Sequence, residues 1–126
     1  MKTKTRPVNL NLFKMKFPVM AIVSGMHRIS GVFLFLLLPL ALYLLDHALH
    51  SEASFSDLQV FIALPWVKIL LWVMISAISF HFIAGIRHMI MDGGFFESVK
   101  AGRRTAYFII LLEIVVMILV GVWLWG

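Results

Sequence analysis

The sequence contains no cysteine. Disulfides, thiolate metal sites and iron–sulfur clusters held directly by the chain are therefore excluded. Any metal would have to use the five histidines or the six acidic residues. Charge is also scarce, with 13% of residues being Asp, Glu, Lys or Arg. Internal repeats and low-complexity segments are absent, and no polar stretch is long enough for a separate soluble domain. Hydrophobic side chains make up 62% of the 126 residues, and the mean hydropathy is +1.00. A soluble domain would be about half apolar. A single membrane-embedded domain over residues 1–126 is the expectation. The net charge of +5 does not point to nucleic acid in so apolar a chain. It is what the positive-inside rule produces.

Three stretches are apolar enough to cross a hydrocarbon core of about 30 Å, which takes roughly 20 helical residues. The first is about Val19–Leu45, with Pro39 a candidate kink. The second is about Pro65–Met91, opened by a proline suited to a first helical turn and stopped by Asp92-Gly93-Gly94. The third is about Thr105–Trp125. The fold class is thus an all-α membrane protein with three transmembrane helices. Between the first two, Asp46–Gln59 is read as a polar connection. Ser54-Phe55-Ser56-Asp57 within it has capping-box spacing, which suggests a short surface helix. The stretch from Val19 is too long for a secretory signal core and lacks a clear cleavage site, so it is expected to be retained.

Positive charge sets the expected orientation. The N-terminal segment 1–18 carries Lys2, Lys4, Arg6, Lys14 and Lys16, and the second link carries Lys100, Arg103 and Arg104. The first link has only Asp46, Glu52 and Asp57. The N-terminus and second link are therefore expected to be cytoplasmic, with the first link and C-terminus outside. Trp66, Trp123 and Trp125 then form an aromatic anchor at the outer interface.

Ionisable groups within a bilayer cost about 2.5–3.5 kcal/mol each on insertion scales, so their placement is informative. Ser24, His27, Arg28 and Gly31 are spaced i, i+3, i+4, i+7 on the first span. His81, Gly85, His88 and Asp92 are spaced i, i+4, i+7, i+11 on the second. Each set forms one stripe. Arg28 and His81 both lie roughly 14–17 Å from the cytoplasmic ends of their helices at 1.5 Å per residue. Interfacial anchoring explains Arg87, His88 and Asp92. A serine such as Ser24 often bonds its own backbone, and His27 is as readily a packed histidine as a ligand. His81 differs, because it lies deep in an otherwise uncharged stretch with no intrahelical acidic partner. A ligand or proton role is favoured for it. Imidazole at this depth, with Gly85 one turn away leaving room for a bulky group, suits axial haem ligation. Arg28 and a nearby histidine suit propionates, and a hydroxyl with a guanidinium suits quinone carbonyls. Glu113, mid-membrane in the third span, receives no role.

The stretches Arg6-Pro7-Val8-Asn9-Leu10-Asn11-Leu12, Phe17-Pro18, Ser24-Gly25-Met26-His27-Arg28-Ile29-Ser30-Gly31 and His81 through Asp92 resemble, in the same order, the cytochrome b556 membrane anchors of succinate dehydrogenase (respiratory complex II). The resemblance covers about residues 6–126. It implies three transmembrane helices pairing with a second anchor subunit around one haem b. His81 would be one axial ligand, the second coming from the partner anchor. His27 and Arg28 would lie at the haem propionates, and Ser24 and Arg28 at the ubiquinone. It also implies docking of an iron–sulfur subunit that carries the flavoprotein where succinate is oxidised, with residues 6–12 meeting the soluble subunits. Two other readings compete: an anchor cytochrome b of a different membrane dehydrogenase, and a non-redox small membrane protein. The lack of a long Arg/Ser-rich presequence favours a bacterial inner membrane.

Overall fold

A computed structural model of the protein describes residues 15–126. Four helices follow one another: α1 Val19–His50, α2 Glu52–Ile62, α3 Pro65–Asp92 and α4 Val99–Trp125. The described residues contain no strand. The segment Arg6–Leu12 and the basic residues Lys2, Lys4 and Lys14 lie outside the described residues. Helices α1, α3 and α4 are long and apolar enough to cross a membrane, with mean hydropathies of 2.2, 2.2 and 2.7 over their most apolar windows. The protein is a multi-pass membrane protein.

The helices extend further than hydropathy suggests. α1 runs unbroken through Pro39 and past Leu45 to His50, because Asp46, His47 and His50 are polar without being helix breakers. It stops where Ser51 turns extended (φ −162°, ψ 164°). Ser51, not Ser54, caps α2: its hydroxyl accepts from the Ser54 backbone N–H at 3.1 Å. Ser54 instead donates its hydroxyl back to the His47 carbonyl, folding α2 against the end of α1. α4 likewise begins at Val99 rather than Thr105, capped by Ser98, whose hydroxyl accepts from Ala101 N–H at 3.2 Å. Lys100, Arg103 and Arg104 therefore ride on the first turns of α4 rather than in a loop. What remains of that link is Gly93–Ser98, where Gly94 takes φ 86°, a conformation only glycine adopts without strain.

α3 lies between α1 and α4, and the three share a small core of Val23, Phe80, Ala84, Ala106 and Ile109. α1 contributes little to it. Of its 32 residues only Val23 and Ser30 are buried, so most of its apolar surface faces outward. Polar cross-links tie α3 to α4 along their length. At the tryptophan end, Lys68 donates to the Leu124 carbonyl at 2.7 Å. This satisfies one orphan carbonyl of the α4 C-terminus and sets a cation against its partial negative charge. Trp72 Nε1 donates to the Met117 carbonyl at 2.8 Å. Mid-span, Ser79 Oγ lies 2.9 and 3.1 Å from the two carboxyl oxygens of buried Glu113, and 3.0 Å from the Ser76 carbonyl. Glu113 thus joins α4 to α3.

At the opposite end Arg87 is buried, and does not reach for the interface as anchoring predicts. Its Nε donates to Thr105 Oγ1 at 3.0 Å and its Nη2 to the Gly102 carbonyl at 3.1 Å. Hydrogen bonds from a charged donor contribute about 1.5–3 kcal/mol each, against the cost of burying the charge. Arg87→Met, which keeps most of the stem and loses both bonds, should therefore destabilise the helix pair by about 1–3 kcal/mol. Thermal unfolding in detergent measures it, and wild-type stability in this variant would refute the clasp.

Candidate functional site

Two of the sequence-predicted residues meet where α1 packs on α3. Ridges of two antiparallel helices bring residues of equal depth side by side, and here they are His27 and His81. Their rings stack with centroids 4.2 Å apart and planes 15° from parallel. His88, two stripe positions beyond His81 on α3, tilts against His27 with centroids 5.2 Å apart. The His27 ring thus touches both histidines of the α3 stripe. The His27 and His81 rings sit where a neighbouring side chain is missing. A Cβ on Gly31 would come within 3.0 Å of His81 Cε1, and one on Gly85 within 3.2 Å of His27 Nε2. Gly85 therefore admits the His27 ring, where the sequence suggests only unspecified bulk.

Polar contacts fix the cluster on the α1 side. His81 Nδ1 lies 3.0 Å from Ser30 Oγ and 3.2 Å from the His27 carbonyl oxygen. Ser30 Oγ donates to that same carbonyl at 2.7 Å. On the other side, His27 Nε2 is buried and has no hydrogen-bond partner among the described residues. Leaving a buried polar nitrogen unsatisfied costs about 1–3 kcal/mol.

Ser24 and Arg28 lie one turn apart on the same helix. Ser24 is half-buried and Arg28 exposed, on the outer surface of α1. Asp92 is exposed at the end of α3. The sequence stripes missed Ser30, which lies just outside the i, i+3, i+4, i+7 row on the side of α1 turned to α3. Its signal was its spacing three residues after His27. A groove of about 310 Å³ opens beside it, lined by apolar residues of all three long helices with Ser30, Ser76 and Glu113 as its polar members. The described residues hold no group of three or more His, Asp or Glu arranged to bind a metal ion by themselves.

The whole chain has relatives. A family model described as succinate dehydrogenase/fumarate reductase transmembrane subunit matches residues 2–120. The succinate dehydrogenase cytochrome b556 subunit of Coxiella burnetii (strain RSA 493 / Nine Mile phase I) is 50% identical over 121 residues, which is 95% of this chain and 97% of that protein. The subunit of the same name from Paracoccus denitrificans is 27% identical over 115 residues, 90% of this chain and 88% of that one.

Proposed function

This chain belongs to the succinate dehydrogenase/fumarate reductase transmembrane-subunit family, and from that premise we propose that it is a haem b- and ubiquinone-binding anchor of a succinate:quinone oxidoreductase. The observation that carries the reading is the stacked His27–His81 pair, where α1 packs on α3. His81 would be this chain's ligand to the haem iron, and a second anchor subunit would supply another. His27 and the Arg28 guanidinium would lie at the propionates. A bound b haem supplies one-electron redox chemistry.

Ser24 and Arg28 donate to the ubiquinone carbonyls, which only accept. The outward-facing surface of α1 is what a second anchor subunit and lipid would cover, since the chain itself buries only two residues of that helix. An iron–sulfur subunit docks on the side of the basic N-terminal segment and delivers electrons from a flavoprotein that oxidises succinate on its own chain. The location is a bacterial inner membrane, with the N-terminus and the Gly93–Ser98 link cytoplasmic. The purified complex should show a b-type reduced-minus-oxidised spectrum and reduce ubiquinone at the expense of succinate. A complex without either property would end this reading.

Orientation has its own test. The native chain lacks cysteine, so a single Glu52→Cys substitution at the start of α2 reports alone. An impermeant maleimide should label it from outside intact cells. Labelling only after the cytoplasmic face is opened would reverse the topology.

A further inference from the structure

The hydrogen atoms around His81 can be accounted for. Two oxygens face its Nδ1: Ser30 Oγ at 3.0 Å and the His27 carbonyl at 3.2 Å. The carbonyl can only accept. The Ser30 hydroxyl hydrogen already has a shorter path to that same carbonyl, at 2.7 Å. With that hydrogen committed, Ser30 turns a lone pair toward His81, and both oxygens beside Nδ1 are acceptors. The arrangement that leaves no lone pairs opposed places the ring hydrogen on Nδ1 and the ring lone pair on Nε2.

We propose that Ser30, together with the His27 backbone carbonyl, is a positioning pair that locks His81 in its Nδ1–H tautomer and so leaves the Nε2 lone pair as the metal ligand. This rests on the haem reading given above. The ring is confined on three sides: its face by the His27 ring at 4.2 Å, its Nδ1 edge by the two oxygens, and its Cε1 by Gly31, where a Cβ would approach to 3.0 Å. Ser30 is itself buried. A serine that merely bonded its own helix would need only the His27 carbonyl, and its oxygen would owe nothing to a residue 51 positions away.

An acceptor on the distal N–H raises the basicity of a coordinating imidazole, and so favours the ferric over the ferrous iron. Ser30→Ala removes one of two acceptors. Haem should remain bound, because the His27 carbonyl still holds Nδ1. The ferrous-to-ferric ratio at a given potential should rise by roughly three- to tenfold, a tenfold change being 59 mV for one electron. The low-spin resonance g-values of the oxidised complex should move with it. Ser30→Cys, close in size and a poor acceptor, should shift the same way and serves if the alanine variant fails to assemble. Ser30→Thr, which restores the hydroxyl, should return the midpoint toward wild type.

These measurements are made on the whole purified complex, by redox titration and electron paramagnetic resonance. Wild-type midpoint and g-values in the assembled alanine or cysteine variant would overturn the role given to Ser30. The haem reading would fail separately, by a wild-type complex without b haem or by a His81→Leu complex with an unaltered spectrum.

Discussion

Replacing His81 with leucine should abolish the low-spin b spectrum of the purified complex. Leucine has nearly the volume of histidine, so the packing against His27 and Gly31 changes little, while the nitrogen free of the α1 hydrogen bonds disappears. Ser30 Oγ and the His27 carbonyl still satisfy each other through their 2.7 Å bond, so the substitution opens no large polar deficit on α1. The loss should therefore be specific to the iron: a high-spin or absent haem in a complex that still contains all its subunits and still oxidises succinate with a soluble dye. Unchanged haem stoichiometry and spectrum would remove His81 from the ligand set.

The second large effect is expected at the quinone. Ser24 and Arg28 stand one turn apart on α1, half-buried and exposed respectively, at the end of the helix that follows the basic N-terminal segment. Removing one donor to a buried carbonyl acceptor costs about 1–3 kcal/mol, which is roughly a factor of 5 to 150 in affinity. Ser24→Ala should raise the quinone concentration needed for half-maximal reduction by an amount in that range. Arg28→Leu should do so more strongly, because a charged donor is lost, and should also disturb the haem spectrum through the propionates. Dye-linked succinate oxidation should be untouched in both. Wild-type quinone kinetics and inhibitor sensitivity in assembled variants would assign Arg28 to the lipid interface and Ser24 to its own backbone.

Much of this was legible in the sequence, for physical reasons that differ by element. The three spans announce themselves because a bilayer demands about 20 apolar residues of each. The depth match between the first stripe and His81 follows from a constant rise per residue, and the two stripes do meet, at the His27–His81 stack. Helix ends were read less well. Hydropathy reports where lipid would end, not where the backbone stops hydrogen-bonding, so it assigns His47 and His50 at the end of α1 and Lys100 and Arg103 at the start of α4 to the links. The capping-box spacing points to Ser54, while Ser51, three residues earlier and with the same chemistry, caps α2. Contacts between helices were the least visible. Nothing in the residue pattern says that Arg87 would turn inward to Gly102 and Thr105, that Lys68 would close the end of α4, or that Glu113 would find Ser79. Each depends on the rotation of one helix about its axis relative to another, and the small hydrophobic stripes of a membrane helix specify that rotation weakly.

The inward turn of Arg87 bears on how the chain is made. Its partners Thr105 and Gly102 lie later in the sequence, across the short Gly93–Ser98 link. While α3 is being synthesised, the guanidinium has no companion in the bilayer, and releasing that helix alone into lipid would strand a charge. The favourable course is for α3 to wait at the translocon until the first turns of α4 emerge, and for the two to leave laterally as a hairpin.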